Sequence, residues 1–182
     1  DWWEQEYFAD PTIANAGDDP DDDGQDNLAE YNVGSDPLRA QMDVFYVSPD
    51  GNDDWDGLAP VWDGAHGPKL TIQAAINMAV NGDVVVVADG IYTDQCNRDI
   101  DFGGLAITVK TENGPENCII DCEGMGRGFY FHSAESSSSV LEGFTITNGF
   151  NSRGGAIYCD YSSPVIVNCI FQENMSSNIG GA

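Results

Sequence analysis

The fold is decided by the stretch Val140-Leu141-Glu142-Gly143-Phe144-Thr145-Ile146-Thr147-Asn148, because its apolar pattern nearly repeats about 25 residues later in Val165-Ile166-Val167-Asn168-Cys169-Ile170-Phe171-Gln172-Glu173. Each copy precedes a Gly-Gly-Ala triplet, at 154–156 and at 180–182. A repeat this short cannot enclose a hydrophobic core of its own, so successive copies have to stack. Each copy holds short β-branched and aromatic runs separated by Gly, Asn and Ser, which is typical of strands and turns. The stretch therefore predicts coils of a parallel β-helix.

Earlier apolar runs extend the same stack toward the N-terminus. One side of the coil is predicted to hold 84–88, 107–111, 128–132 and 156–159, and another to hold 118–122, 141–146 and 166–171. Before the first coil, residues 70–80 follow a helical pattern in which Ile72, Ala75, Ile76 and Ala79 share one face. We expect this helix to cover an open edge of the first coil.

The charge of the chain is strongly unbalanced, with 31 acidic and 6 basic residues and a net charge of -25. Phosphate contacts need Lys and Arg, so this composition argues against nucleic-acid binding. It favours cations as partners, although a solvated or salt-adapted surface is the alternative. No apolar run approaches the roughly 18–20 residues of a membrane span, so no transmembrane segment is expected. No signal peptide is recognisable within the chain.

Five cysteines occur, at positions 96, 118, 122, 159 and 169, without any C-x-x-C motif. Neither histidine lies near them in sequence, so a zinc site is not expected. Two interpretations stay open. The thiols are buried as small apolar groups between coils, or one or two disulfides form in an oxidising compartment.

The twelve residues from Asp19 to Glu30 follow the spacing of an EF-hand calcium loop. Calcium takes about 6–8 oxygen ligands at about 2.3–2.6 Å, and Gly24 at the sixth position permits the sharp turn that aims them. Gln25 would contribute its backbone carbonyl, and Glu30 both carboxylate oxygens. The predicted calcium ligands are Asp19, Asp21, Asp23, Gln25, Asn27 and Glu30. The alternative is an acidic flexible linker.

Short helical patterns flank this loop, at 1–8 and at 28–32, so residues 1–43 are predicted to form a helix–calcium loop–helix module. The stretch 1–37 resembles the bacterial thrombospondin type 3-like calcium repeat, a relative of dockerin loops. The resemblance implies a calcium-stiffened extracellular module. Asp26 stands at loop position 8, where paired EF-hands have an apolar residue, so a lone site is expected.

A second acidic loop follows the predicted strand at 44–47. Its alternating oxygen-bearing residues, a candidate second metal site, are Asp50, Asn52, Asp54 and Asp56. No Glu closes this loop at the twelfth position, so a simple turn stabilised by Asp and Gly is the alternative interpretation.

Residues 44–182 are similar to the start of right-handed, pectate-lyase-like β-helix proteins. The residues that carry this resemblance are Tyr46-Val47-Ser48-Pro49-Asp50-Gly51, Thr71-Ile72-Gln73-Ala74-Ala75-Ile76 and Gly82-Asp83-Val84-Val85-Val86-Val87-Ala88-Asp89-Gly90-Ile91-Tyr92. The tandem Gly-Gly-Ala with Phe171-Gln172-Glu173-Asn174 resembles the repeat of polymorphic outer-membrane proteins. These resemblances imply a right-handed coil, a capping helix and secretion, but a fold alone does not define an activity. The expected fold class is therefore all-β, with a right-handed parallel β-helix and capping helix behind the calcium module.

No catalytic residue is predicted. Neither His66 nor His132 has an evident partner in the sequence, and Arg98, Arg127 and Arg153 near several aspartates are interpreted as ion pairs. The repeated Gly-Gly-Ala at 180–182 leads us to expect further coils, or another copy of the chain, against the last coil. The expected function is a secreted or cell-surface, calcium-stabilised structural or adhesive protein. The alternative is a polysaccharide-active lyase or hydrolase, or a carbohydrate-binding module.

Overall fold

The computed structural model describes residues 15–20, 26–33 and 42–179, and its regular structure consists mainly of short strands joined by turns. Two helices are described, α1 at Asn27–Val33 and α2 at Ile72–Ile76, with a 3-10 turn at Gln95–Asn97. The strands are β1 Val44–Val47, β2 Val84–Val87, β3 Gly90–Tyr92, β4 Thr108–Thr111, β5 Cys118–Asp121, β6 Phe129–Phe131, β7 Val140–Glu142, β8 Thr145–Thr147, β9 Phe150–Arg153, β10 Ile157–Cys159, β11 Val165–Val167, β12 Ile170–Gln172 and β13 Met175–Ile179.

The strands build a parallel β-solenoid of about four turns. Its first side has the strand order β1-β2-β4-β7-β11, and its second side has the order β3-β5-β8-β12. A third side pairs β6 with β10, and Ile100 bridges to Phe129 on the other edge of β6. A fourth pair joins β9 to β13. The structure thus confirms the prediction of an all-β fold built from stacked parallel coils.

The register confirms the repeat from which the coil was predicted. Val165 lies opposite Val140, Ile166 opposite Leu141, and Phe171 opposite Ile146. Neighbouring strands come from successive copies of the repeat, so each copy contributes one turn of the solenoid.

The predicted grouping of strands by side is partly wrong. The sequence pattern predicts that 141–146 lies on one side of the coil, but Gly143 divides it at φ 86° into β7 on the first side and β8 on the second. A Cβ at Gly143 would lie 2.3 Å from the Thr111 hydroxyl oxygen, so this corner needs glycine. The strands β6 and β10 do pair with each other, but they form a third side of their own.

Stacked apolar side chains fill the interior of the coil. On the first side, Val85, Val109 and Leu141 lie at successive levels, and all are fully buried. On the third side, Phe129 contacts Phe102 and Phe144 edge to face. Each large side chain buried in this way contributes roughly 1.5–3 kcal/mol before entropy is counted.

Helix α2 is shorter than the predicted span 70–80, but it buries the predicted face, Ile72, Ala75, Ile76 and Ala79. The Thr71 hydroxyl caps its start by accepting a hydrogen bond from the Ala74 N–H. After Ile76 the backbone continues in tighter turns, with Met78 N–H bonded to the Ala75 carbonyl. The helix covers the edge of the third side, where its Gln73 side chain bonds the backbone of Asp101.

Helix α1 precedes β1 in the sequence, and the predicted helix–calcium loop–helix module around it stays a prediction. The predicted helix at 1–8 and the segments 21–25 and 34–41 lie outside the described residues. No helix in the three described ranges combines the length and the apolar character that crossing a membrane requires.

Candidate functional site

The two ends of the acidic loop lie side by side. The Asn27 N–H donates to the Asp18 carbonyl at 2.8 Å, and the Leu28 N–H donates to the Ala16 carbonyl at 2.9 Å. The Asp26 carboxylate caps α1 by accepting a hydrogen bond from the Ala29 N–H at 2.8 Å. The loop from 19 to 26 is therefore closed at its base by backbone hydrogen bonds and followed at once by a capped helix.

Asn27 occupies a buried position at this base, with 3% of its surface exposed. Its Nδ2 donates to the Asn15 carbonyl at 2.7 Å, which fixes the orientation of the side-chain amide. Its Oδ1 is buried and accepts no hydrogen bond from any described residue. A buried carbonyl oxygen without a donor is costly, and such an oxygen is also a good ligand for a hard cation.

The predicted calcium ligands divide into described and undescribed positions. Asp19 lies just after the hydrogen-bonded base, and Asn27 and Glu30 lie on α1, three positions apart and so on one side of the helix. The predicted ligands Asp21, Asp23 and Gln25, together with the side chain of Glu30, lie outside what the structure describes. The orphaned Asn27 oxygen fits a calcium ligand, and the complete site stays a prediction.

The second acidic loop uses its side chains to bond its own backbone. Asn52 Oδ1 accepts from the Asp54 N–H at 2.9 Å, and Asp56 Oδ1 accepts from the Leu58 N–H at 3.1 Å. These contacts favour the interpretation of the loop as turns stabilised by Asp and Asn. In the described ranges, no three His, Cys, Asp or Glu side chains are grouped to hold a metal. The candidate site of Asp50, Asn52, Asp54 and Asp56 therefore stays a prediction.

Both histidines have carboxylate partners, contrary to the expectation from sequence. His66 Nδ1 pairs with Asp56 Oδ2, and His132 Nε2 lies 3.2 Å from Asp101 Oδ2. The hydrogen bond to His66 lowers the pKa of Asp56 to about 2. The same bond raises the pKa of His66 above its ordinary value. Both partners come from distant positions in the chain, so no local motif could reveal them.

Asp53 has a role that the sequence did not indicate. Its Oδ1 accepts from the Leu70 and Thr71 N–H groups at 2.9 Å, and its Oδ2 accepts from the Thr71 hydroxyl at 2.9 Å. Asp53 thereby fixes the acidic loop to the start of α2. Asp53 lies 18 residues from Thr71, so the pair has no short-range signature.

The outer face of the third side carries what we call the third-side cluster, which consists of Arg127, Tyr130, His132, Arg153 and Tyr158. The rings of Tyr130 and Tyr158 stack at 5.5 Å between centroids. The Arg127 guanidinium lies 4.7 Å from the Tyr130 centroid and 5.3 Å from that of Tyr158. His132 lies 4.1 Å from the Tyr130 ring, and Arg153 donates to the Tyr158 hydroxyl at 3.1 Å.

Ion pairs beside the third-side cluster connect successive coils. Arg127 Nε donates to Asp99 at 2.8 Å, as the predicted Arg–Asp pairing implies, whereas Arg98 pairs with Glu123 at 3.1 Å. Arg127 is almost fully buried, and its Nη1 contacts no hydrogen-bond acceptor among the described residues. The third-side cluster and these ion pairs therefore combine aromatic rings, guanidinium donors and carboxylate acceptors on one surface.

Glu135 is a buried carboxylate, with 2% of its surface exposed. Its Oε1 accepts from the Gly104 N–H at 3.0 Å, and its Oε2 accepts from the Ser133 N–H at 2.9 Å and the Ser162 hydroxyl at 2.7 Å. Burial alone would raise the pKa of Glu135, but the hydrogen bonds, chiefly from Ser162, lower it below its ordinary value. Glu135 thus connects three successive coils through a single side chain.

The five cysteines are all free thiols, and Cys118 and Cys122 are fully buried. The burial of Cys118 and Cys122 supports the interpretation of these two as small apolar side chains, whereas Cys96 and Cys159 are exposed. Burial raises the pKa of Cys122 to about 12 and raises that of Cys118 even further, so both stay protonated near neutral pH.

The described strands define residues 44–179 as a parallel β-solenoid, preceded in the sequence by an acidic segment. Comparisons with family models, with curated proteins and with solved structures found no match to this chain.

Proposed function

We propose that this chain is a secreted or cell-surface, calcium-stabilised structural or adhesive protein with a right-handed β-helix. It assembles through the open end of its coil, where further coils or other copies of the chain are the partners. The observation that carries the proposal is the buried Asn27 Oδ1, which has no donor among the described residues and stands at the ninth position of a calcium-loop spacing.

Calcium would act as a structural clamp in front of the coil. In the predicted loop, the carboxylates of Asp19, Asp21, Asp23 and Glu30 would repel one another without a cation. Binding would therefore stabilise the folded loop in preference to the unfolded chain. The resemblances to thrombospondin type 3-like repeats, pectate-lyase-like coils and polymorphic outer-membrane protein repeats support a location outside the cell.

Thermal unfolding and limited proteolysis, each with calcium and with a chelator, test this function. We expect calcium to raise the melting temperature and to protect residues 15–33 from proteases. At a calcium concentration 100 times the dissociation constant, the stabilisation is about 2.7 kcal/mol. Unchanged melting and unchanged cleavage of this segment after chelation would contradict the proposal.

The third-side cluster favours a second candidate function, carbohydrate binding or polysaccharide cleavage. Sugar hydroxyls both donate and accept hydrogen bonds, and this surface offers Arg153 and the Tyr158 hydroxyl beside Asp101 and His132. The test is retention on immobilised polysaccharides, with product formation as the sign of an enzyme. Tyr158→Ala should abolish retention, whereas Tyr161→Ala, at a fully exposed ring outside the cluster, should not. Equal retention of both variants would exclude the third-side cluster as the polysaccharide-binding surface.

A further inference from the structure

The segment before the solenoid buries an amide where an apolar side chain would be expected. Among the side chains that the structure describes in 15–33, Asn27 is the buried one, with 3% of its surface exposed. Its neighbour Leu28, which is apolar, is 52% exposed. A buried polar residue is more informative than an exposed leucine, because its polar atoms need partners. The contacts of the Asn27 amide therefore explain why it lies there.

The nitrogen of this amide holds a turn that lies before the twelve-residue loop. Asn27 Nδ2 donates to the Asn15 carbonyl at 2.7 Å, and the same carbonyl accepts from the Asp18 N–H at 3.1 Å. The backbone N–H groups of Asn27 and Leu28 donate to the Asp18 and Ala16 carbonyls at 2.8 and 2.9 Å. We call the three hydrogen bonds that Asn27 and Leu28 donate to residues 15–18 the base clasp. One of the three comes from a side chain, so a substitution at Asn27 can remove it.

The oxygen of the same amide has no donor. The oxygen and nitrogen of an amide leave one carbon in different directions, so Oδ1 points away from the Asn15 carbonyl that Nδ2 contacts. Oδ1 is buried and accepts no hydrogen bond from the described residues. An amide oxygen is a neutral ligand for calcium, and Asn27 stands at the ninth position of the predicted loop. The bond to Asn15 therefore decides which end of the amide is left for a cation.

We propose that Asn27 is a positioning residue as well as a ligand: its nitrogen closes the base clasp, and the closed clasp presents its oxygen to calcium. The inference rests on the proposed calcium function, and it extends the calcium module back to residues 15–18, outside the twelve-residue spacing. An oxygen at position 27 is not sufficient, because this residue also has to donate to the Asn15 carbonyl. Asparagine does both, whereas an ionised aspartate only accepts.

This role reverses the usual effect of charge at a calcium ligand. The affinity of a calcium loop depends on the number of charged ligands and on the rigidity of the site. If Asn27 were a ligand only, Asn27→Asp would add a charge and bind calcium at least as tightly. In the base clasp, the same change sets a carboxylate oxygen against the Asn15 carbonyl oxygen and buries a charge without a donor. The clasp opens, and the loss of rigidity outweighs the added charge.

Hydrogen exchange and calcium titration of the full chain, with and without the substitution Asn27→Asp, test the inference. Without calcium, the Leu28 amide hydrogen should exchange at least about tenfold faster in Asn27→Asp, because it belongs to the base clasp. In the titration, the calcium dissociation constant of Asn27→Asp should be at least about tenfold higher than that of the unaltered chain. The amides of β2 and β4 should exchange equally in both proteins, which shows that the solenoid of the variant is folded.

Two variants are matched controls. Asn32→Asp makes the same change at an exposed position of α1, and it should leave both the exchange of Leu28 and the calcium affinity in place. Asn15→Ala removes a side-chain amide that bonds Asp18 but keeps the backbone carbonyl that Asn27 contacts, so the base clasp should stay closed.

Tight calcium binding by Asn27→Asp, or unchanged exchange of its Leu28 amide, would overturn the positioning role while the calcium function stands. An unaltered chain that binds no calcium would contradict the proposed function and, with it, the ligand role of the Asn27 oxygen. The exchange measured without calcium tests the base clasp by itself, so the two failures can be told apart.

Discussion

Gln73 and Asp101 are joined by a reciprocal pair of hydrogen bonds across 28 residues of sequence. Gln73 Nε2 donates to the Asp101 carbonyl at 3.0 Å, and the Asp101 N–H donates to Gln73 Oε1 at 2.9 Å. A side-chain amide thus supplies the two contacts that a neighbouring strand would otherwise make. The pair explains how a short helix closes the first coil.

Replacement of Gln73 by Ala should destabilise the solenoid at this edge. Both backbone groups of Asp101 lose their partners in a half-buried place, and we expect the free energy of unfolding to fall by about 1–3 kcal/mol. Urea denaturation measures the change. Gln95→Ala, at an exposed glutamine of the 3-10 turn, is the matched control and should stay within about 0.5 kcal/mol of the unaltered chain.

Glu135 should make the stability of the coil sensitive to acid. Its folded-state pKa is lowered, so its contribution is fully present above the ordinary glutamate pKa of 4.5 and is lost as the pH falls through the folded value. Melting temperatures measured from pH 7 downward should therefore fall more steeply below about pH 4.5 in the unaltered chain than in Glu135→Gln. Glu116→Gln, at an exposed glutamate, should keep the steep fall. Parallel curves for all three proteins would contradict this role.

Asp56 should control the titration of His66. The hydrogen bond that His66 donates to the Asp56 carboxylate raises the pKa of His66, so NMR titration of the unaltered chain should give a value above 6.5. A raised histidine pKa stabilises the folded loop below the ordinary value, and this stabilisation is lost as the pH rises through the folded value. In Asp56→Asn the pKa should fall back toward 6.5. The variant Asp54→Asn, which removes the same charge from the same loop, should leave most of the shift in place.

The turn that follows the second side should become more stable when residue 173 is one that tolerates positive φ. Glu123, Asn148 and Glu173 follow one another at intervals of 25 residues, and all have positive φ, at 55°, 56° and 57°. Asn tolerates this conformation better than Glu does. We expect Glu173→Asn to raise the free energy of unfolding by about 0.5–1 kcal/mol, as judged by thermal and urea unfolding. The control Glu173→Gln removes the same charge but keeps the strained backbone, so it should gain less.

The sequence predicted the parts of the fold that depend on local pattern. The shared apolar pattern of the two repeats predicted that Val140 and Val165 stack, as the register shows. The corner at Gly143 was not predicted, because one glycine inside an apolar run is compatible with a bulge, a corner or an uninterrupted strand.

The long-range polar contacts were not predictable, for a different reason. Asp53 with Thr71, Gln73 with Asp101 and Glu135 with Ser162 are joined by the stacking of coils and loops, and their separations of 18, 28 and 27 residues follow no motif. The predicted calcium loop is the opposite case. Its spacing is explicit in the sequence, and the structure adds the hydrogen-bonded base and the orphaned Asn27 oxygen.

Isothermal titration with calcium tests the central claim most directly, because the proposed clamp requires a cation on the loop from Asp19 to Glu30. We expect one calcium ion per chain with the unaltered protein, a loss of that binding in Glu30→Gln, and retention of it in Asp54→Asn. An absence of calcium binding, or binding that survives Glu30→Gln and disappears with Asp54→Asn, would contradict the account.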